Sequence, residues 1–324
     1  MFRLTVLMLG VYLFVSAGNI SAHEFPTRPL RFIVPVNPGG GSDIIARLIG
    51  KHLQERLGQP VIVDNRPGAD TIIGTQITAR AAPDGHTFLL SYIVLAAQPA
   101  LRSDLPYDVL KDLIPVIHLM NAPNVAAVRR SLPVKSIPDL IALAKEKPGQ
   151  LTYASGGVGG PSHLAPLLFS SLAGVKLNHI PYKGASPALN DVIGERVDVI
   201  FATIVSTAPH AQAGRLRALA VTGSKRSHVF PELPTIAEAG VKGYQYDTWY
   251  GVFLPSNTPR PIVQKLYSEI RAIITTDEVT QFFLKSGAQV VGSGPDEFSA
   301  YVKSELKKWS RTLKEAGVQI DMAR

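Results

Sequence analysis

The sequence predicts an α/β fold with two lobes, each built on a mostly parallel sheet flanked by helices. Strand-like and helix-like segments alternate along most of the 324 residues, and such alternation indicates parallel strands joined by helical crossovers. A chain of this length exceeds one small core and fits two α/β lobes. In sheets of this kind ligands bind beyond the carboxyl ends of the strands, so the loops there are the candidate sites.

Residues 1–22 have the layout of a secretory signal peptide. Arg3 precedes an uncharged and mostly apolar run, residues 4–17, and small residues follow as far as Ala22. The run is shorter than the roughly 20 residues that span a bilayer. We therefore expect export with cleavage near Ala22, rather than a retained membrane anchor.

The composition narrows the class of protein. A hydrophobic content of 46% with 18% charged residues indicates a packed globule. The chain has no cysteine, which excludes disulfides, thiolate zinc sites and thiol nucleophiles. The formal net charge is +8, but Lys and Arg are scattered and not interleaved with aromatic residues. We therefore expect no nucleic-acid partner and a mild field that collects anionic solutes.

Apolar periodicity predicts the elements of the first half. The first helix has one apolar face and is followed by Gly58, which favours a helix end. That face consists of Ile44, Ile45, Leu48, Ile49 and Leu53. The predicted order is strand 30–36, helix 42–57, buried strand 61–63, helix 72–82, buried strand 87–91, loop 98–112 and an extended run 114–128 broken at Pro123.

The second half continues the alternation and ends in three helices. The predicted order is helix 137–147, strand 151–155, helix 162–173, strand 179–181, helix 186–194, strands 197–203 and 216–222, an apolar segment 249–254, and helices 261–275, 277–286 and 295–317. The last helix carries a stripe that we expect to pack in the core, formed by Phe298, Val302, Leu306, Trp309 and Leu313. We place crossings between lobes near 123–124 and 241–247, so that 23–123 with 248–324 forms lobe 1 and 124–247 forms lobe 2.

Two glycine-rich turns, 37–43 and 155–163, each follow a predicted strand and precede a predicted helix. Glycine lets backbone N–H groups approach a ligand closely, and a helix N-terminus adds unpaired donors and the positive end of its dipole. The two turns together predict a cleft that holds an anion from both sides. The candidate ligand-binding residues are Gly39, Gly40, Gly41, Ser42, Asp43, Asp70, Ser155, Gly156, Gly157, Gly159, Ser162, His163 and Lys183.

Three of these residues are first assigned structural roles. Ser42 and Ser162 have no base in local register, so helix N-capping is favoured over nucleophilic catalysis. Asp43 is expected to bond free N–H groups and hold the shape of its loop without facing the ligand.

For three other residues the sequence leaves two interpretations open. His163 fits either a donor to a carboxylate or a satisfied core histidine. Lys183 fits either a cation facing the cleft or a solvated surface lysine. Asp70 either faces the ligand, where it would repel a second carboxylate and attract an ammonium or amide N–H, or caps the helix that begins near Thr71.

Motifs of catalysis are missing from the sequence. It contains no Gly-x-Ser-x-Gly elbow, no phosphate-binding Gly-x-x-x-x-Gly-Lys motif and no His-Glu-x-x-His motif, and its eight histidines do not fall at metal-ligand spacing. We therefore expect no enzyme, no catalytic residue, no metal and no cofactor.

Short stretches along nearly the whole chain resemble, in order and spacing, the Bug (TctC-like) family. Those proteins are periplasmic solute-binding proteins of tripartite tricarboxylate transporters. The matching stretches are 28–35 (RPLRFIVP), 39–43 (GGGSD), 65–69 (NRPGA), 83–85 (PDG), 105–108 (LPYD), 154–156 (ASG) with 163–164 (HL), 179–184 (HIPYKG) with 187–188 (PA), and 233–240 (LPTIAEAG).

The resemblance implies a two-lobed periplasmic-binding-protein (Venus flytrap) fold without enzymatic activity. It implies a monomer in the periplasm that binds a small carboxylate, amino acid or aromatic acid and delivers it to two membrane subunits. The family holds the ligand carboxylate between a turn of each lobe, which here correspond to 39–43 and 155–163. A sensor for a signalling partner, or an exported enzyme on the same scaffold, are the alternatives.

The chain departs from the family pattern at three places. Asp70 and Thr71 stand where the family usually has two glycines, and Leu167 stands where it usually has a glutamate. Pro166 lies early in the helix that follows the second turn and removes a backbone donor. The change at Asp70 is the one expected to affect ligand choice.

Overall fold

The computed structural model describes residues 25–39 and 41–315. The predicted signal peptide, Gly40 and the last two positions of the predicted C-terminal helix, 316–317, lie outside the described residues. Within them, helices and strands alternate as predicted, so the α/β class is confirmed.

Across the described residues, ten strands form one continuous sheet in two parts that share the long strand β4. The first part contains β1, β2, β3, β9 and β10, and the second contains β5, β6, β7 and β8. Their bounds are β1 (Leu30–Val34), β2 (Val61–Asn65), β3 (Thr87–Tyr92), β4 (Leu113–Arg129), β5 (Thr152–Ser155), β6 (Asn178–Pro181), β7 (Val199–Thr203), β8 (Leu216–Val221), β9 (Asp247–Pro255) and β10 (Gln289–Ser293).

Both parts of the sheet are mixed, which corrects the expectation of mostly parallel strands. In the first part β1 pairs in parallel with β2 and β3, whereas β9 is inserted antiparallel between β3 and β4. In the second part β5 pairs in parallel with β6 and β7, whereas β4 pairs antiparallel with β7 and β8. The chain thus returns through the sheet in a direction that strand periodicity alone does not encode.

Strand β4 runs through Pro123 without the predicted break. Up to Pro123, which pairs with Asp247, its partner is β9, and from Asn124, which pairs with Thr203, its partner is β7. Because proline lacks the N–H that a ladder needs, the point where the strand exchanges partners tolerates it best. The division into lobes at this point remains a prediction.

Ten helices pack on the sheet in the described residues. Two of them, α3 and α7, were not predicted, and β10 was also missed. The bounds are α1 (Gly41–Leu57), α2 (Ile72–Ala79), α3 (Val94–Leu101), α4 (Ile137–Glu146), α5 (Pro161–Ala173), α6 (Ala185–Ile193), α7 (Ile204–Gln212), α8 (Arg260–Ile274), α9 (Asp277–Lys285) and α10 (Pro295–Glu315). Gly58 ends α1 with a positive φ of 66° and its N–H bonded to the carbonyl of Gln54, as predicted.

Two burial expectations are wrong. Ile44 is 46% exposed although it was placed on the apolar face of α1. The strand β2 is also not buried, since Ile62 is 56% exposed. The exposure of Ile62 follows from the position of β2 at the edge of the sheet.

The C-terminal helix α10 connects the two parts through one core. Phe298, Val302, Trp309 and Leu313 are buried and Leu306 is partly buried, which confirms the predicted stripe. Glu305 accepts hydrogen bonds from the indole N–H groups of Trp249 at 3.3 Å and Trp309 at 3.0 Å. The same core includes buried residues of β4, β7 and α5, so α10 is anchored to both parts of the sheet.

Candidate functional site

A cavity of about 590 Å³, here called the cleft cavity, lies beyond the carboxyl ends of strands from both parts of the sheet. The first part contributes residues after β1, β2 and β3, and the second part contributes residues after β5 and β6. From the predicted set, the described lining residues are Gly39, Gly41, Ser42, Asp70, Gly156, Gly157 and Ser162. The two glycine-rich turns therefore meet at one cavity, as the sequence predicts.

Three helices begin at this cavity. Gly41 and Ser42 begin α1, Pro161 and Ser162 begin α5, and Ala185 with Ser186 begins α6. The N-caps of α5 and α6 are glycines, Gly160 and Gly184, and make no side-chain capping bond. Because the first N–H groups of a helix have no acceptor within it, donors and positive dipole ends converge here.

Asp43 holds the first turn together. Its carboxylate accepts hydrogen bonds from the N–H of Gly39 at 2.9 Å, from Asn65 Nδ2 at 3.0 Å and from Arg47 Nε at 3.0 Å. Burial alone would raise the pKa of Asp43, but these hydrogen bonds outweigh it and lower the pKa. Asp43 is buried, and these bonds are the ones that its predicted loop-shaping role requires.

The serines expected to cap helices do something else. Ser162 lies inside α5, whose N-cap is Gly160, and its Oγ accepts a hydrogen bond from the N–H of Gly156 at 2.9 Å. Ser42 lies inside the first turn of α1, not before it. Both side chains line the cleft cavity, so the capping prediction is wrong for both.

Several glycine N–H groups expected to face a ligand are bonded within the protein. The N–H of Gly39 donates to Asp43, that of Gly156 to Ser162, that of Gly157 to Ser155 Oγ at 3.2 Å, and that of Gly159 to His163 Nδ1 at 3.1 Å. These glycines shape the turns. The donors that helix geometry leaves for a ligand are those at the first turns of α1, α5 and α6.

His163 is a core histidine and does not line the cleft cavity. Its ring packs against that of His179 at a tilt, with centroids 4.3 Å apart, and His179 stacks on Tyr153 at 4.7 Å. Burial and the neighbouring His179 lower the pKa of His163 to about 3. His163 faces a separate cavity of about 530 Å³ behind the second turn.

Ser155 and His179 form a close pair, with Oγ and Nε2 2.6 Å apart. A serine beside a histidine is the arrangement that nucleophilic catalysis requires. The side chain of Ser155, however, is fully buried and is not among the residues that line the cleft cavity. The pair supports the turn and offers no accessible nucleophile.

Lys183 is exposed and lies outside the residues that line the cleft cavity. The structure therefore fits the interpretation of Lys183 as a solvated surface lysine. Gly159 also lies outside the lining, while the added Cβ of a residue at that position would meet Leu101 Cδ1 at 2.7 Å. A positive φ of 76° is a second reason for glycine there.

Asp70 lines the cleft cavity and does not cap a helix. The helix α2 begins after Thr71, and no side-chain capping bond is present there or at the preceding 3₁₀ turn, Ala69–Thr71. Burial raises the pKa of Asp70, and the field of Arg102 lowers it by less. Among the described lining residues, Asp70 carries the only carboxylate, and no lysine or arginine lines the cavity.

Two tyrosines and the start of α6 complete the cavity, and sequence reasoning missed them. Tyr92 and Tyr250 line it with rings stacked 5.8 Å apart. They come from neighbouring antiparallel strands and are paired directly. The only local signal for the start of α6 was Gly184 followed by a predicted helix. The two tyrosines were missed because the register of β3 and β9 cannot be read from the sequence.

Comparison with known proteins identifies the family. The family model described as "Tripartite tricarboxylate transporter family receptor" (TctC) matches residues 45–318. The chain belongs to the TctC family. BugT of Bordetella pertussis is 36% identical over 317 residues, 97% of each chain. A Pseudomonas sp. (strain P51) protein from the tcbD-tcbE intergenic region is 37% identical over 312 residues, 95% of this chain and 93% of its own length.

Solved structures confirm the two-lobed periplasmic-binding-protein fold for this TctC-family chain. An R. palustris protein with adipate superposes with a TM-score of 0.82 at 36% identity, covering 91% of this chain and all of that one. MatC from Rhodopseudomonas palustris with bound malate gives a TM-score of 0.79 at 31% identity, covering 89% and 100%. BugD, a periplasmic binding protein, gives 0.80 at 32% identity, covering 91% and 100%. One of these three proteins is thus described as a periplasmic binding protein, and the other two were solved with dicarboxylates.

Along the described chain, no helix combines the length and the apolar character that a membrane crossing requires.

Proposed function

We propose that this TctC-family chain is an extracytoplasmic, non-enzymatic receptor that captures a small carboxylate-bearing solute in the cleft cavity. The observation that carries the proposal is the convergence of the starts of α1, α5 and α6 on that cavity. An anion at a helix N-terminus gains about 0.3–2 kcal/mol. Three such ends, together with direct hydrogen bonds, support about micromolar affinity.

The chemistry of the relatives supports the same ligand class. Adipate and malate are the molecules named with two of the similar structures. Because the described lining of this cavity has no cationic side chain, an anion here would be neutralised by backbone donors and helix dipoles. Backbone donors bind a carboxylate without fixing the rest of the ligand, so the opposite wall would set the choice among acids.

The receptor would deliver its ligand to two membrane subunits of a secondary transporter and act as a monomer in the periplasm. The family description, a transporter receptor, supports this role. Uptake of a radiolabelled ligand by vesicles containing the two subunits should require the receptor. Uptake that is equal with and without it would contradict delivery.

We further propose that 23–123 with 248–324 forms one lobe, that 124–247 forms the other, and that the two rotate together on binding. Pro123 and Asp247 are directly paired where β4 exchanges its partners, so two chain crossings lie side by side. Small-angle scattering should show a smaller radius of gyration with saturating ligand than without it. An unchanged radius would count against closure.

The proposed binding mode is tested at Ser186, in the first turn of α6 on the cavity wall. Ser186→Asp places a fixed carboxylate where the ligand anion would bind, and Ser186→Asn is the neutral control of similar size. Calorimetry with adipate, malate, hexanoate and ω-aminohexanoate should show at least about tenfold weaker binding for Ser186→Asp, with Ser186→Asn close to wild type.

The melting temperatures of the two variants serve as a control, because the added carboxylate should weaken ligand binding without destabilising the fold. An acidic side chain at a helix N-terminus stabilises the helix by about 0.3–1 kcal/mol, so Ser186→Asp should melt no lower than Ser186→Asn. Equal affinities in the two variants would contradict anion binding at α6.

A further inference from the structure

Asp70 is a carboxylate without an ion partner in the described part of the chain. Arg102 is the cation whose field reaches it, but Arg102 is already paired with Asp104 through Nε at 3.0 Å and Nη2 at 2.9 Å. The side chain of Asp70 is exposed, and no lysine or arginine among the described lining residues of the cleft cavity neutralises it. Its carboxylate is therefore open to a donor on a molecule that enters the cavity.

The backbone around Asp70 is held in a strained conformation. Ala69, Asp70 and Thr71 have successive positive φ values of 46°, 51° and 82°, a left-handed run that non-glycine residues rarely adopt. Gln98 Nε2 donates to the carbonyl of Asp70 at 2.8 Å and fixes the turn. Backbone strain of this kind clusters at ligand-binding positions.

The alternative role for Asp70, capping of a helix, has no supporting hydrogen bond in the structure. No side-chain bond caps the 3₁₀ turn or α2, so helix capping does not account for the carboxylate. The hydroxyls of Tyr92 and Tyr250 belong to the same cavity, and Tyr92 lies within the field of Asp70. Tyr92 and Tyr250 stack there, and burial raises the pKa of Tyr250 to about 12, so its hydroxyl stays neutral.

We propose that Asp70 selects a ligand that carries an ammonium or amide N–H at the end opposite its carboxylate, and that it disfavours dicarboxylates. The helix starts bind the carboxylate, and Asp70 accepts the donor at the far end. This inference rests on the proposed carboxylate-receptor function. It sets the chain apart from the relatives solved with adipate and malate, because a second carboxylate facing Asp70 would be repelled.

Acids of matched length test the selection. The six-carbon set is adipate, adipamate, ω-aminohexanoate and hexanoate, and the four-carbon set is succinate, succinamate, γ-aminobutanoate and butanoate. Affinities are measured by calorimetry for the wild type, for Asp70→Asn and for Asp296→Asn. Asparagine tolerates the left-handed backbone, so Asp70→Asn should fold. Asp296, 92% exposed in α10, gives the same change in net charge away from the cavity.

Wild type and Asp296→Asn should bind the amino or amide acid at least about tenfold more tightly than the matched diacid, and Asp70→Asn should reduce that ratio by about tenfold. The same ranking of acids in Asp70→Asn and wild type would overturn the role of Asp70 while leaving the receptor function intact. If none of the three proteins bound any of these acids, the carboxylate-receptor proposal would fall and this inference with it.

Discussion

The carboxylate of Asp43 accepts a hydrogen bond from the backbone N–H of Gly39 at 2.9 Å. This bond closes the turn between β1 and α1 and occupies a donor that would otherwise face the cleft cavity. The turn is therefore preformed, and the free donors are displaced to the start of the helix.

Removing the Asp43 carboxylate should loosen this turn. In Asp43→Ala, the N–H of Gly39 and the amide of Asn65 lose their acceptor, which should lower the free energy of unfolding by about 1–3 kcal/mol and weaken acid binding. Asp43→Asn keeps one acceptor oxygen, so its stability and its affinity for acids should lie between those of the wild type and of Asp43→Ala. Urea unfolding and calorimetry measure both effects. A variant Asp43→Ala with wild-type stability and affinity would show that the turn does not depend on this side chain.

A side chain added at Gly156, in the second turn, should displace the start of helix α6. A Cβ added at Gly156 would lie 2.9 Å from the N of Ala185 and 3.0 Å from the C of Gly184, both backbone atoms at the start of α6. Gly156→Ala should therefore shift α6, weaken acid binding and cost about 1–3 kcal/mol of stability.

Gly50→Ala is the matched control for Gly156→Ala. Its added Cβ would make ordinary contacts of 3.4 Å with Val61 and Val63, and replacing glycine by alanine within a helix gains up to about 1 kcal/mol. Its affinity should remain that of the wild type, and its melting temperature should not fall. If both variants bind and melt alike, the contact between the second turn and α6 has no role in binding.

Asp247 should make stability depend on pH at the point where β4 exchanges its partners. Burial raises its pKa to about 6, with nearby Glu305 adding to the shift and Lys308 opposing it. A carboxyl with a raised pKa in the folded state contributes stability that is complete below its ordinary pKa of 3.8 and is lost as the pH rises through about 6.

Asp247→Asn should remove this loss. At pH 7 the variant should be more stable than the wild type by about 1–3 kcal/mol, and the difference should shrink toward pH 4. Urea unfolding at a series of pH values measures it. A difference that is constant across the series would show that Asp247 does not titrate between the two values.

The two glycine-rich turns could be predicted because their signal is local. A strand, a run of glycine and an amphipathic helix follow one another within a short stretch, and two of the partners of Asp43, Gly39 and Arg47, are close to it in the chain. The start of α6 contributes only because the fold brings it to the same cavity, and its sequence carries a single glycine before the helix. Tyr92 and Tyr250 depend on the register of β3 and β9, strands that are far apart in the chain.

The missed elements have equally physical causes. The helix α3 contains Pro99 and is buried on most sides, so it lacks the polar face that marks a helix in sequence. The strand β10 is short and partly exposed and therefore shows no apolar alternation. Pro123 suggested a break because proline interrupts a ladder, but the ladder changes partners at that residue.

Native mass spectrometry of the protein purified without refolding tests directly whether the helix starts capture a carboxylate. We expect one small molecule bound per chain, which carries a carboxylate on release and is lost or strongly reduced in Ser186→Asp but retained in Ser186→Asn. A bound molecule without an acidic group, or a ligand that both variants retain equally, would contradict carboxylate capture by the helix starts at the cleft cavity.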